Sequence, residues 1–389
     1  LAMRKILSIV QDADIYRSSV INLQASENVI SPNVRRALAS DFASRYSHKE
    51  NGVNDYGGTK YAEELEESVN ELASEVFNFK YADAKPLSGH VAAETVLAAL
   101  VKRGESIMKI PERNGGYQGY LNGYLPSLMG FRSYDIPMKP DQAIDFESFE
   151  KTIDYIRPKV VILGQSVFVK SYDIPKVREL CNSVGSMLLY DASHVMGLIA
   201  GGTFQKDIGL CDVVFGSTHK TFFGPQGGII LTNEAEVFDR IEKKITWITM
   251  DNFNISRMAG VGVALEETKK FGREYASRVV KNAKDLAKEL DGKLPIKYSP
   301  WFTESHQVLI DEEGLKKDGY DTIKFSEDLE KNGIIVDRIG RIGTAEITRM
   351  GVDDVQPIAD MIKDAYIGKD VKERVNKFVS NMKMRYYES

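Results

Sequence analysis

The stretch that most limits how this chain can fold is residues 213–231, VVFGSTHKTFFGPQGGIIL. Val213, Val214 and Phe215 make a short β-branched and aromatic run, and Ile229, Ile230 and Leu231 make a second one after Gly227 and Gly228. Both read as buried strands, so the polar block STHK is held between fixed ends. On these residues alone Lys220 reads equally as a ligand-binding amine and as a loop lysine that faces solvent. Residues 188–194, LLYDASH, form another apolar run that ends in the carboxylate of Asp191, with the His194 imidazole three residues on. Ligands of open α/β sheets sit beyond the carboxyl ends of the strands, and this placement allows Asp191 and Lys220 to face one crevice.

Further along, the strand-like runs FRSYDI, PKVVILG, LLYDAS and VVFGS alternate with helical patterns around DFESFEKTIDYI and IPKVRELCNSVG. That alternation predicts a mainly parallel sheet with both faces covered. From about residue 262 the chain changes character: VALEETKKFGREYASRVVKNAKDLAKEL reads as one long helix that Gly292 ends. The strand candidates HQVLID, GIIVDR and AEITR, separated by charged helices, then predict a smaller α/β domain. The expected divisions are an N-terminal arm at 1–45, a large domain at 46–261 and a small domain at 262–389 that includes the bridging helix.

The 389 residues exceed the roughly 250–300 at which chains divide into domains. A hydrophobic content of 43%, a charged content of 28% and a net charge of -5 suit a soluble protein and leave no basic footprint for nucleic acid. Cys181 and Cys211 offer neither a disulfide framework nor a paired metal motif and read as core residues. No run approaches the roughly 20 apolar residues of a membrane span, and LAMRKILSIV lacks the features of a signal peptide. The expectation is a cytoplasmic protein with no membrane partner.

A lysine able to form a Schiff base and a carboxylate able to pair with a pyridinium nitrogen are what pyridoxal phosphate requires of its protein. DASHVMGLIAGG and VVFGSTHKTFFGPQGGIIL resemble the cofactor segments of the serine hydroxymethyltransferase family of fold-type I pyridoxal phosphate enzymes, and INLQASENVISP and RIGTAEITRMG resemble further segments of that family in the same order. The likeness covers nearly the whole chain. It implies an aspartate aminotransferase-like α/β fold with a mainly parallel seven-stranded sheet in the large domain, and a homodimer with shared active sites. The implied reaction is Cα–Cβ retro-aldol cleavage of serine, with transfer of the one-carbon unit to tetrahydrofolate or a related reduced pterin. The alternative is a pterin-independent β-hydroxy amino-acid aldolase of the threonine type. An aminotransferase and a non-enzymatic binding protein rank below both.

Residues 88–101, SGHVAAETVLAALV, open an Ala-rich helix whose free N–H groups make Ser88, Gly89 and His90 either a phosphate cradle or an ordinary helix cap. The resemblance implies that Lys220 holds the cofactor and Asp191 its ring nitrogen. It further implies that Tyr117 stacks on the ring, that Ser166 lies near a cofactor oxygen, that Ser217 and His219 serve the phosphate and orientation, and that His194 sits near the reacting centre. Ser26, above its neighbour Glu27, resembles a serine that helps hold the substrate carboxylate. Arg341 resembles the first arginine of RxGTPAxTRRG, which binds that carboxylate, a task suited to a bidentate guanidinium. Tyr46 and Tyr56 resemble two tyrosines that reach the neighbouring subunit's active site. Tyr120 and Tyr124 carry no motif and read as packing, and His306 reads as structural.

Several positions depart from the family. Where it reads YAEGYPGxxYYGG this chain has YSHKENGVNDYGG, which puts His48 at the position of a proton-transferring glutamate and Asp55 at the first of two paired tyrosines. A histidine can do acid–base work near neutral pH but does not accept the paired hydrogen bonds of a carboxylate. Asn114 and Gln118 replace family residues near the cofactor and the folate. Residues 246–260, TWITMDNFNISRMAG, stand where the family has FPxxQGGP, with Trp247 and Phe253 making the region more apolar. Met350 replaces the second arginine of TRRG, and Glu346 stands where the family is neutral.

Overall fold

A computed structural model describes residues 5–50 and 52–388. Its contacts group into two compact units, one of residues up to Glu27 together with Arg278–Arg385, the other of Asn28–Ser277 together with the residues from Tyr386. The sequence reading set its boundaries at 45 and 261; the contact-defined units divide instead at 27 and 277.

The larger unit is built on seven strands: β1 (Tyr81–Asp83), β2 (Ser106–Lys109), β3 (Arg132–Asp135), β4 (Val160–Leu163), β5 (Met187–Asp191), β6 (Val213–Ser217) and β7 (Gly228–Thr232). They lie in the order β1-β7-β6-β5-β4-β2-β3. Neighbours from β3 across to β6 are parallel, and β7 runs antiparallel to both β6 and β1. This is the mainly parallel sheet that the alternating pattern predicts, with the seven strands that the family resemblance implies. Every residue of β4, β6 and β7 is buried, as is β5 from Leu188 to Asp191. Continuous rather than alternating hydrophobicity is what a sheet covered on both faces demands. One cover is the helix Gly89–Leu100, whose Ala92, Val96, Leu97 and Leu100 pack with Ile162, Leu189, Phe215 and Ile230. Because this helix turns apolar groups to the sheet along most of its length, it needs almost no charge, and its sequence has only Glu94.

In the smaller unit the strands come in pairs. Ile21–Asn22 pairs in parallel with Ile334–Ile335, and Gln307–Leu309 pairs antiparallel with Arg341–Gly343. Ile21 and Leu23 are fully buried in a core with Leu286, Leu290, Ile342, Ile358 and Ile362, which is why the N-terminal segment belongs to this unit. The expected strand AEITR is instead the helix Ala345–Arg349, and the strand precedes it. The run is short enough to satisfy either period, and the Thr348 hydroxyl bonding back to the Thr344 carbonyl closes the helical turn. His306, fully buried, donates from Nε2 to the Ala25 carbonyl at 3.0 Å, in keeping with a structural role. The long helix is Ile255–Leu290, seven residues earlier at its start than the pattern suggested.

Ser31 caps the helix Pro32–Leu38 by accepting from the Val34 N–H. Among the described residues no helix is long and apolar enough to cross a membrane.

Cys181 and Cys211 are free and buried; burial pushes the Cys181 thiol up to about 12 and raises Cys211 further still. Thiolate is the reactive form, so an aromatic disulfide reagent at pH 8 is expected to titrate neither thiol in the native protein and both in denaturant. Rapid native labelling of either would contradict this packing.

Candidate active site

The carboxyl ends of β5 and β6 lie side by side, with Asp191 in register with Phe215. Beyond them a cavity of about 250 Å³ is lined by Ser88, Gly89, His90 and Tyr117, by Ser166, Asp191 and His194, and by Ser217 at the end of β6 with His219 and Lys220 of the turn after it. Gln165 and Ser193 complete its lining.

Asp191 is held on both oxygens. Oδ2 accepts from the Tyr120 hydroxyl at 2.8 Å and Oδ1 from the Ser193 N–H at 3.0 Å. Tyr120 is thus more than the packing residue that the sequence suggested: burial, and then the Asp191 charge, raise its pKa well above the usual phenol value, so it stays a neutral donor. The Tyr117 and Tyr120 rings pack edge to face with centroids 5.2 Å apart, and the Tyr117 hydroxyl meets His90 Nδ1 at 2.8 Å. Gly164 at the end of β4 has φ 118°, and a Cβ there would stand 2.2 Å from the Asp191 carbonyl oxygen, so no larger residue allows this approach.

The lysine is fixed by its main chain. Lys220 Nζ donates to Ser217 Oγ at 2.8 Å, while its carbonyl accepts from Asn28 Nδ2 at 2.7 Å, and Asn28 spends its second amide hydrogen on the Tyr275 hydroxyl. Thr218 closes the turn, its N–H on the Gly227 carbonyl and its hydroxyl on the Pro225 carbonyl. The glycines after Lys220 therefore serve a return path whose carbonyls receive the polar block. His194 lies on the turn after β5, where its carbonyl accepts from the Thr221 hydroxyl at 2.8 Å. Ser166 is tied by its N–H to the Gly115 carbonyl at 2.6 Å.

One corner of the cavity lies at the start of the Gly89–Leu100 helix. Ser88 accepts from the Val91 N–H as its cap, and a Cβ on Gly89 would stand 2.4 Å from Ser217 Oγ. Glycine alone lets the positive end of this twelve-residue helix come against the end of β6. His219 lies partly buried beside them. Burial, with the Lys220 charge adding to it, lowers its pKa to about 4. Its buried Nδ1 has no hydrogen-bond partner among the described residues. An amine, a fixed carboxylate, a helix start closed only by glycine and an unsatisfied imidazole nitrogen together fit pyridoxal phosphate.

Arg341 and Ser26 belong to the smaller unit. Arg341 is buried, with Nε donating to Asp337 Oδ2 at 2.6 Å. Glu27 is occupied by Arg17, Asn22 and Gln24, which leaves it a structural group. Tyr46, His48 and Tyr56 do not line the Lys220 cavity of their own chain. Tyr46 and Tyr56 pack edge to face at 4.9 Å on the wall of a separate groove, with the Tyr46 hydroxyl on Asp251. His48 lines another cavity with Trp247. Sequence reasoning passed over Asn28, Gln165 and Ser193 and reads Tyr120 only as packing. Asn28 sat within the INLQASEN segment, whereas Tyr120 carried no local signal.

The fold and this site define a fold-type I pyridoxal phosphate-dependent enzyme. The family model for serine hydroxymethyltransferase matches residues 2–362. Serine hydroxymethyltransferase of Methanothermobacter marburgensis is 35% identical over 405 aligned residues, covering 98% of this chain and 95% of the relative. That of Pyrobaculum calidifontis is 36% identical, covering 95% and 90%. Among solved structures, L-threonine transaldolase from Pseudomonas fluorescens superposes with a TM-score of 0.88 at 25% identity, covering 98% of this chain and 92% of the other. The chain belongs to the serine hydroxymethyltransferase family.

His219 makes stability depend on pH with a definite sign. Its folded value of about 4 lies below the unfolded reference of about 6.5, so across that window the unfolded chain binds more protons and stability rises with pH. In urea unfolding of the cofactor-free protein, His219→Gln should recover about 1–2 kcal/mol at pH 5 relative to pH 7, after discounting for the ring's partial exposure. Parallel wild-type and variant curves would count against the burial of this imidazole.

Proposed function

We propose that this protein is a serine hydroxymethyltransferase that cleaves serine between Cα and Cβ and passes the one-carbon unit to a reduced pterin. The observation that carries the reading is the convergence of Lys220, a doubly hydrogen-bonded Asp191 and a glycine-closed helix start on one cavity. When bound, pyridoxal phosphate supplies an electron sink for the pair left at Cα as a bond to it breaks. Lys220 would hold its aldehyde and Asp191 its protonated ring nitrogen. Ser88, Gly89, His90, Ser217 and His219 would hold its phosphate, with Tyr117 and His194 against the ring and Ser166 near a ring oxygen.

Arg341 is assigned to the amino-acid carboxylate. Asp337 occupies its Nε and sets the plane of the guanidinium, and Ser26 adds a hydroxyl to the same carboxylate. Anchoring this group fixes rotation about Cα and so selects which of its bonds breaks. In retro-aldol cleavage the β-hydroxyl gives up its proton, the β-carbon leaves as an aldehyde, and the Cα–Cβ pair stays with Cα, which is later protonated to give glycine. His48 and Tyr46 are assigned to this proton traffic, and Tyr56 to the substrate, in a cytoplasmic homodimer whose copies complete each other's sites.

A second reading, a pterin-independent β-hydroxy amino-acid aldolase, is favoured by His48 in place of glutamate and by the replacement of FPxxQGGP at 246–260. The structural likeness to an L-threonine transaldolase is compatible with it. Measuring serine and threonine cleavage with and without tetrahydrofolate or a modified archaeal-type pterin separates the two. The transferase requires that serine cleavage depend on a pterin; rates indifferent to every pterin would establish the aldolase.

Arg341→Ala tests the carboxylate assignment. A charge-assisted pair contributes about 1.5–3 kcal/mol, so glycine affinity should fall about 10- to 100-fold while the cofactor's absorption is unchanged. Unaltered glycine binding would move the receptor to another residue.

A further inference from the structure

The two departures from the family in residues 46–58 are in contact with each other. His48 Nδ1 lies 2.7 Å from Asp55 Oδ2. A two-stranded ribbon places them: Lys49–Glu50 pairs antiparallel with Val53–Asn54, Lys49 opposite Asn54, so His48 and Asp55 face each other at its open end. The Asp55 N–H donates to the His48 carbonyl at 3.0 Å, and Asn54 ties the ribbon by accepting from the His48 N–H and donating to Ser47 Oγ. The rings of His48 and Trp247 pack edge to face, with centroids 5.2 Å apart and planes at 73°. His48 is buried while the Asp55 side chain is 61% exposed. No described residue takes a hydrogen bond with Nε2.

A carboxylate only accepts, so the Nδ1 position facing Asp55 carries the hydrogen and the lone pair of the neutral ring lies on Nε2. A neutral imidazole with a carboxylate behind it keeps one negative charge, the charge of the glutamate that the family has here, and presents one basic atom. We propose that Asp55 is a positioning residue for His48, holding the Nδ1–H tautomer so that Nε2 receives the β-hydroxyl proton as the Cα–Cβ bond breaks. This rests on the hydroxymethyltransferase reading and on His48 serving in it. The β-hydroxyl proton moves to Nε2, the resulting imidazolium is stabilised by Asp55, and the proton returns to product from the same nitrogen.

The test has two arms on the holoenzyme. With 15N-labelled histidine, and the His48 signals identified by their loss in His48→Gln, the neutral wild-type ring is expected to carry its hydrogen on Nδ1. Asp55→Leu should abolish that preference in favour of the Nε2–H form; an unchanged tautomer overturns the proposal. Because Asp55 is largely exposed, the variant is expected to keep its circular dichroism and cofactor absorption. In the kinetic arm, Asp55→Leu should lower kcat for pterin-dependent serine cleavage at least tenfold with the KM for serine within about twofold, and Asp55→Glu should recover most of the loss. The same change in a His48→Gln background should cost nothing further. Loss of the tautomer with full kcat, or an additive loss in the double variant, overturns the positioning role. If wild-type protein cleaves no serine with any pterin, the reaction assignment fails on its own, and the tautomer arm alone then decides whether Asp55 positions His48.

Discussion

Two hydrogen bonds to the carboxylate of Asp191, from the Tyr120 hydroxyl and the Ser193 N–H, are the interaction on which the rest of this site depends. A carboxylate withdrawn from water costs several kcal/mol unless it is paired or bonded, and Asp191 ends an inner strand with only 8% of its surface exposed. Donors to a charged acceptor contribute about 1.5–3 kcal/mol each, enough to hold the group at that depth. They also dictate its surroundings. Tyr120 has to remain a protonated phenol, which its burial ensures. The chain after β4 has to pass within contact of the Asp191 main chain, which Gly164 permits.

The same logic continues along the sheet edge. Ser193 Oγ accepts from the Ser217 N–H at 3.1 Å and joins the ends of β5 and β6, and Ser217 Oγ accepts from Lys220 Nζ. Lys220 thereby takes its place relative to Asp191 through two short serine links, with Asn28 gripping the lysine's carbonyl from the other side. A buried polar network is stable only when its members are satisfied. His219 is the exception, half sealed from water with one nitrogen unmatched. Local rules are broken where function requires it, and here the break falls at the helix start.

In the smaller unit the position where the family is neutral has been integrated rather than left exposed. Glu346 is pushed up to about 7 by burial, and the Asn22 amide donates to both Glu346 and Glu27, with Arg17 on Glu27. That network secures the segment on which Ser26 lies. In the His48–Asp55 contact a departure that removes a carboxylate is accompanied by a second that supplies one 2.7 Å from the imidazole.

The central strands, their parallel arrangement and the strand-end positions of Asp191 and Lys220 were all legible in the sequence, because hydrophobic period and strand length are local properties. The start of the Gly89–Leu100 helix was legible for the same reason: serine, glycine and an Ala-rich run mark it within a few residues. The partners were not. Tyr120 meets Asp191 across 71 positions and Asn28 meets Lys220 across 192, and nothing local to either residue encodes such a distance. The five residues AEITR satisfied both helical and extended patterns until the Thr344–Thr348 contact decided between them. His48 and Asp55 are only seven apart, yet their contact depends on a ribbon register that a one-residue slip would reverse. The sequence by itself determined the central strands of the large sheet and the polar residues at their ends, since those follow from side-chain type and spacing; tertiary structure alone decided which of those residues hold one another, since that depends on how strand ends, register and distant turns meet in space.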